Sequence, residues 1–336
     1  KEVMHQAAEA VKELDGSGLS LIEISHRSKA FIDIMKEACA LALELTGLKD
    51  KGYKAIFLQG GTSQQFLMAA YNWLENKAGY VNTGTWSNKA IKEAKLFGEV
   101  IELASSKEEN FNYIPKGYSI PSDLDYVHLT TNNTIFGTQL KETPTTEVPL
   151  AADMSSDIFS REFDYSKFDL FYAGAQKNMG PAGTTLVVIK KSILGKVSRR
   201  IPTMLDYSVH IDKESMFNTP SVFAVYGCME TLRWIDRQGL ANIEKMNIAK
   251  AELLYNEIDG NALFEGTTAK EDRSYMNVTF VLKDDTMNEA FLKACSEAKI
   301  SGIKGHRSVG GFRASMYNAL GLDSVQALVN VMQTFK

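Results

Sequence analysis

The chain has 336 residues, 44% of them hydrophobic and 23% charged, the make-up of a soluble globular protein with room for a large domain and a smaller one. A net charge of -4 leaves no basic surplus for a nucleic acid, and no apolar run approaches the roughly 18 residues of a membrane span, so neither partner is expected. Cys39, Cys228 and Cys295 are widely separated in helical patterns; that sparse, odd set points to a reducing, cytoplasmic setting, and the absence of CxxC and HExxH spacings points to no metal site.

No secretory signal is visible, although the sequence opens on Lys1 and not on a methionine. Glu2 to Leu14 has the periodicity of an amphipathic helix, stopped by Asp15-Gly16-Ser17-Gly18. A short strand, Leu19 to Ile24, is predicted next and leads to Ser25-His26-Arg27-Ser28. His26 and Arg27 offer an imidazole and a forked guanidinium to an anion, or form a solvated pair ahead of the helix from Lys29 to Leu45. The strand Tyr53 to Gln59 then runs into Gly60-Gly61-Thr62-Ser63 and another helix. Pliable backbone meeting the free N–H groups of a helix start outlines an anion site, and serves equally as a plain strand-to-helix turn.

A strand from Ala78 to Asn82 is followed by Thr83-Gly84-Thr85-Trp86-Ser87 and a helical stretch, Asn88 to Phe97. Trp86 is there either a core filler or a flat face for an aromatic ligand. Strands are predicted over Gly98 to Leu103 and Tyr126 to Thr130, the second ending in Thr131-Asn132-Asn133-Thr134, where a hydroxyl can reach a ligand oxygen.

Two further strands end on chemistry. Val148 to Asp153 stops on a carboxylate followed by Ser155 and Ser156, and Asp169 to Gly174 passes through small residues to Lys177 and a turn rich in Gly and Pro. Alone, Asp153 reads as a cap or turn former and Lys177 as a loop lysine. Together on one sheet edge they match what pyridoxal phosphate (PLP) requires: an amine of lowered pKa for the aldehyde and an acid for the ring nitrogen. With the strand Thr184 to Ile189, the first 190 residues describe an α/β domain with a mostly parallel sheet. Ligands of such sheets sit off the carboxyl ends of the strands, where Gly60, Trp86, Thr134, Asp153 and Lys177 all fall.

The stretch Ile201 to Pro220 is loop-rich and holds Phe217-Asn218-Thr219-Pro220; a long helical tract runs from Val222 to about Ile258. A strand over Met276 to Leu282, a helix from Met287, a short strand Ile300 to Ile303 and a last helix from Ser324 form a smaller α+β unit. The division is placed inside the helical tract, giving domains 1–243 and 244–336. His306, Arg307 and Arg313, set between glycines, suit the anionic groups of a substrate or form a solvated basic loop.

The segments SHRS, FLQGGTSQQF, TGTWS, NNTIFGTQ, ADMSSD, YAGAQKN, FNTP and GHRSVGGFRASMYNA, in this order over nearly the whole chain, resemble the phosphoserine aminotransferases, a family of class V aminotransferases with the aspartate-aminotransferase fold of PLP enzymes (fold type I). The resemblance implies a large, mostly parallel seven-stranded sheet domain with a smaller C-terminal domain. It implies PLP held as a Schiff base on Lys177, with Asp153 at the pyridine nitrogen, Trp86 stacked on the ring and Thr134 at the 3-oxygen. Thr62, Ser63 and Gln176 would bind the cofactor phosphate, joined by Asn218 and Thr219 from the second subunit of a homodimer. His26, Arg27, His306 and Arg307 would hold the substrate phosphate or distal carboxylate, and Arg313 the α-carboxylate. The substrates implied are glutamate and 3-phosphohydroxypyruvate, with a phospho-keto acid of pyridoxine synthesis as a related substrate. Two departures stand out: Thr62-Ser63 replaces the Gly-Arg of many relatives, and the Asn-Phe-Gly-Pro-Gly-Pro-type segment that precedes the first helix in the family is absent from this sequence. The competing readings are another class V PLP enzyme, such as a serine-glyoxylate aminotransferase or a cysteine desulfurase, and a non-catalytic α/β domain that binds an anion. A desulfurase needs a cysteine on a mobile loop, and none of the three is placed in one.

Overall fold

The computed structural model describes residues 1–307 and 309–336. Two helices open the chain, α1 (Glu2–Lys12) and α2 (Lys29–Leu45), the second capped by Ser28, whose hydroxyl accepts the Phe31 N–H. The strand expected over Leu19 to Ile24 is not formed; the segment is a run of turns. Its polar side chains bind the local backbone instead of leaving it for a ladder. The Ser20 carbonyl accepts the Glu23 N–H at 2.9 Å, the Glu23 carboxylate returns to the Ser20 N–H at 2.9 Å, and the Ser20 hydroxyl takes the Ile22 N–H at 3.3 Å.

The elements of the large unit follow in order: β1 (Tyr53–Leu58), α3 (Gly61–Trp73), β2 (Lys77–Asn82), α4 (Thr85–Ala94), β3 (Glu99–Ser105), β4 (Tyr126–Thr130), β5 (Leu150–Asp153), β6 (Leu170–Gly174) and β7 (Thr185–Lys190). They make a seven-stranded sheet of order β1-β7-β6-β5-β4-β2-β3, in which β7 runs against both neighbours and all other pairs are parallel. Strands β4, β5 and β6 are buried at every residue, as a sheet covered on both faces requires. Alternate residues feed two cores. Val127, Leu129, Ala152 and Phe171 pack with α2 and with α6 (Val222–Gln238), while Tyr126, Ala151, Leu170 and Tyr172 pack with α3 and α4.

The loop-rich stretch before α6 contains a short helix, α5 (Tyr207–Asp212), that the sequence reading missed, and the single long helical tract is two helices. Gly239, at φ 75°, ends α6 in a conformation costly for other residues, and α7 (Leu240–Gly260) begins directly after it. The C-terminal part adds β8 (Phe264–Gly266), β9 (Asn277–Leu282), α8 (Asn288–Glu297), β10 (Phe312–Ser315) and α9 (Leu322–Thr334), with an antiparallel sheet of order β10-β9-β8. Its core is a cluster of Phe264, Phe280, Phe291 and Phe312, whose ring centroids lie 4.8 to 6.3 Å apart. The strand expected over Ile300 to Ile303 is absent: Gly302, at φ 73°, breaks extended backbone inside it, and a single bridge joins Lys304 to Phe312. The strand comes later, as β10, and brings Arg313 with it. Cys39, Cys228 and Cys295 are free thiols on α2, α6 and α8. Among the described residues no helix is long and apolar enough to cross a membrane.

One core residue gives this fold a pH signature. Lys250 on α7 is 1% exposed, donates to the Met316 carbonyl at 3.1 Å and the Tyr317 carbonyl at 3.0 Å, and burial pushes its pKa down to about 8. The unfolded chain keeps that proton to a higher pH than the folded one, so folding stability contributed by this residue rises as pH climbs from about 8 to about 10. Denaturant unfolding across that range should show the wild type gaining on the order of 2 kcal/mol relative to Lys250→Met; parallel stability curves for the two proteins would refute the assignment.

Candidate active site

Five strand ends converge on one rim of the large sheet, and the parallel register sets their heights. Thr130 on β4 stands beside Asp153 on β5, which stands beside Tyr172 on β6. Asp153 is 4% exposed, and its Oδ1 accepts the Ser155 N–H at 2.9 Å. Burial raises its pKa, against the opposing pull of the Lys177 charge and the Ser155 hydrogen bonds.

Past Gly174 the chain turns back, with the Met179 and Gly180 N–H groups donating to the Ala175 carbonyl at 3.1 and 2.9 Å. That turn directs Lys177 inward, where Nζ donates to Thr134 Oγ1 at 2.8 Å and to Ser156 Oγ at 2.9 Å; the two hydroxyl oxygens are 2.6 Å apart. Burial lowers the Lys177 pKa; the Asp153 charge opposes that shift, the Arg313 charge adds to it and the Asp157 charge opposes it. The result is an amine that gives up its proton more readily than a surface lysine and is held between two hydroxyls.

Trp86 lies in the first turn of α4, which starts at Thr85, earlier than the sequence reading placed it. Its ring centroid is 5.6 Å from Lys177 Nζ, and its buried Nε1–H has no hydrogen-bond partner among the described residues. A buried indole donor left open beside a half-buried amine marks a place shaped for a ligand. Arg313, delivered by β10, donates from Nη1 to the Thr134 carbonyl at 3.3 Å, and its buried Nε is likewise without a partner.

The Gly60-Gly61-Thr62-Ser63 turn joins the same rim. Thr62 Oγ1 lies 2.9 Å from Ser155 Oγ, and Ser155 Oγ also accepts the Gly174 N–H at 3.1 Å. A Cβ on Gly174 would stand 2.9 Å from both Thr62 Oγ1 and Gln176 Oε1, so this glycine lets three polar groups meet at one point. Ser63 and Gln176 are exposed beside it. Asn218 Nδ2 donates to Gln59 Oε1 at 2.8 Å, just beyond β1, and Thr219 is exposed; β1 is the sheet edge nearer to β6, the strand that leads to Lys177.

The remaining cations are less closely tied to the amine. His26 and Arg27 lie in the turn before α2, and among the described residues no hydrogen bond or ion pair joins their side chains to Lys177 or Asp153. His306 is half-buried and Arg307 exposed, in a turn where the Val309 and Gly310 N–H groups both donate to the His306 carbonyl at 2.9 Å. Among the described residues no cluster of His, Cys, Asp and Glu could hold a metal ion. A cleft of about 950 Å³, walled by Ile114, Tyr118, Leu140 and Pro149, contains none of Lys177, Asp153, Trp86 or Arg313, so chemistry and not volume identifies the site. The sequence reading noticed Ser155 and Ser156 only as hydroxyls after Asp153; that Ser156 grips the lysine depends on the turn that follows β5.

Comparison with known proteins places this geometry. The model of the class-V aminotransferases matches residues 1–328. The phosphoserine aminotransferase of Flavobacterium johnsoniae is 60% identical over 100% of this chain and 95% of its own length, and that of Bacteroides thetaiotaomicron is 55% identical over 100% and 95%. Among solved structures, the phosphoserine aminotransferase of Bacillus circulans subsp. alkalophilus is similar at a TM-score of 0.95, with 42% identity over 99% of this chain and 94% of that one. The PLP-bound phosphoserine aminotransferase of Trichomonas vaginalis is similar at 0.93, with 34% identity over 99% and 96%.

Proposed function

The chain belongs to the class-V aminotransferase family, and we propose that it uses the amine and carboxylate of this rim on PLP for the reaction of its relatives. That reaction is reversible transfer of the amino group of L-glutamate to 3-phosphohydroxypyruvate, giving O-phospho-L-serine and 2-oxoglutarate. The observation that carries the assignment is the half-buried Lys177 amine, uncharged more easily than usual and backed by buried Asp153, in a chain that matches phosphoserine aminotransferases along its whole length.

The residues present fit the cofactor. The open Trp86 Nε1–H, the lowered Lys177 pKa and the close approach at Gly174 are each what a flat, anionic aldehyde needs. Lys177 would hold its aldehyde carbon, Asp153 its ring nitrogen, Trp86 its face and Thr134 its 3-oxygen. Thr62, Ser63 and Gln176 would hold its phosphate, together with Asn218 and Thr219 of a second copy of the chain. Phe217 and Phe223, 36% and 38% exposed on either side of Asn218 and Thr219, support such a homodimer. When bound, the cofactor supplies a protonated ring that withdraws electrons from the substrate α-carbon.

The chain's own part is binding and proton handling. Arg313 grips the substrate α-carboxylate, its fork already steadied on the Thr134 carbonyl. His26, Arg27, His306 and Arg307 take the distal group, a carboxylate in glutamate and a phosphate in the partner substrate; with Thr62-Ser63 where many relatives have Gly-Arg, these four carry that task alone. Lys177 Nζ, neutral and freed, takes the proton from the substrate Cα, and the hydroxyls of Thr134 and Ser156 orient its lone pair. The Asp153 carboxylate would pair with the ring nitrogen and so hold a proton there. The free thiols of Cys39, Cys228 and Cys295 support a cytoplasmic setting.

Borohydride treatment of the PLP-loaded protein should fix the cofactor on Lys177, seen as a modified peptide, and Lys177→Ala should give no such adduct; an adduct surviving in the alanine protein would remove the assignment. Exchanging His306 and Arg307 together for alanine should lower kcat/KM for 3-phosphohydroxypyruvate by roughly thirty-fold or more, the scale of lost charge-assisted contacts, with PLP affinity close to wild type. Equal losses in both would return the pair to a structural role.

A further inference from the structure

Behind the amine lies a second buried carboxylate for which the chemistry above has no use. Asp157 is 5% exposed and follows directly on Ser155 and Ser156. Its Oδ1 accepts from Thr131 Oγ1 at 2.5 Å and its Oδ2 from Gln139 Nε2 at 3.2 Å, with Arg161 Nη2 3.5 Å from that second oxygen. Thr131 and Gln139 are the two ends of the turn that carries Thr134. Across that turn Leu140 N–H donates to the Thr131 carbonyl at 2.7 Å and Asn133 N–H to the Thr138 carbonyl at 2.8 Å. One carboxylate therefore grips both ends of the segment that presents one hydroxyl to Lys177, and the residue before it, Ser156, presents the other.

A buried carboxylate with three partners serves as a staple in any protein. Here the stapled pieces are the two that touch a reactive amine, and hydroxyls 2.6 Å apart leave little room for drift. We propose that Asp157 is a positioning residue for the amino transfer, fixing Thr134 and Ser156 against Lys177 Nζ and placing a second negative charge within reach of that amine. The proposal rests on the assignment of Lys177 as the cofactor-binding amine. In keeping with it, the Asp157 charge opposes the burial that lowers the Lys177 pKa. The charged and titratable groups facing Asp157 are Arg161 on its own turn, Tyr165 and Asp153 nearby, and Lys141, which donates to Gln139 Oε1 at 3.0 Å and whose pKa burial brings down to about 7. Lys141 titrates in the working range and the Asp157 charge itself raises its pKa, so every titration is repeated in a Lys141→Met background, where the difference reports on Asp157.

The test is a pH titration of the visible absorption band of the PLP-loaded protein. Wild type must show a pH-dependent band that Lys177→Ala lacks; otherwise the assignment of Lys177 fails and the role of Asp157 falls with it. Given that band, Asp157→Asn, which keeps the shape and the acceptor for Thr131, should lower its midpoint by about half a pH unit or more. It should also lower kcat by about ten-fold with KM for glutamate within about two-fold. Asp157→Glu, restoring the charge, should recover at least half of the midpoint shift. A midpoint unmoved in Asp157→Asn, or the same in the Asn and Glu proteins, overturns the proposal while leaving Lys177 in place. If Asp157→Asn does not fold, Thr131→Val removes only the gripped hydroxyl: kcat should fall about three-fold or more with the midpoint unmoved, and a wild-type kcat overturns the proposal.

Discussion

The structure depends on holding a lysine out of water without neutralising it for good. Burial disfavours the charged form of Lys177, while two carboxylates, Asp153 and Asp157, favour it. Burial alone would leave an amine unable to keep a proton, and carboxylates alone would leave a permanently charged one. Between these limits the amine can switch, and two hydroxyls keep its position fixed in either state. The sheet makes this arrangement affordable: three parallel strands buried at every residue end at one level, so side chains far apart in the chain arrive together on a rigid frame.

Much of this was legible in the sequence because parallel strands announce themselves as short apolar runs that stop on polar residues. The runs ending at Asp153 and before Lys177 gave the strands and the rim on which these two side chains meet. The two strands that were wrongly expected failed for local reasons. Leu19 to Ile24 has an apolar alternation, but its Ser20 and Glu23 satisfy the backbone within one turn. Ile300 to Ile303 has apolar ends suited to a strand, but Gly302 leaves extended geometry within it. The helix break at Gly239 carries a visible signal, a glycine after a long periodic run, although the helical periodicity on both sides reads as one tract.

What the sequence could not supply was the second layer of contacts. Ser156 and Asp157 follow Asp153 by three and four residues, and nothing in that spacing says that one serine turns toward the lysine while the aspartate reaches back to Thr131 and Gln139. Those bonds depend on how the turn after β5 meets the turn after β4, which is a property of packing and not of pattern. The same holds for Arg313: its basic neighbourhood was evident, but its anchoring on the Thr134 carbonyl came only with the strand that the reading had placed too early.

The claim at the centre is that Asp153 and Lys177 serve opposite ends of one ring. Nitrogen NMR of the protein loaded with PLP labelled at the ring nitrogen tests it most directly. A ring nitrogen protonated at neutral pH in the wild type and unprotonated in Asp153→Asn is the predicted result; the same nitrogen shift in both proteins would contradict it.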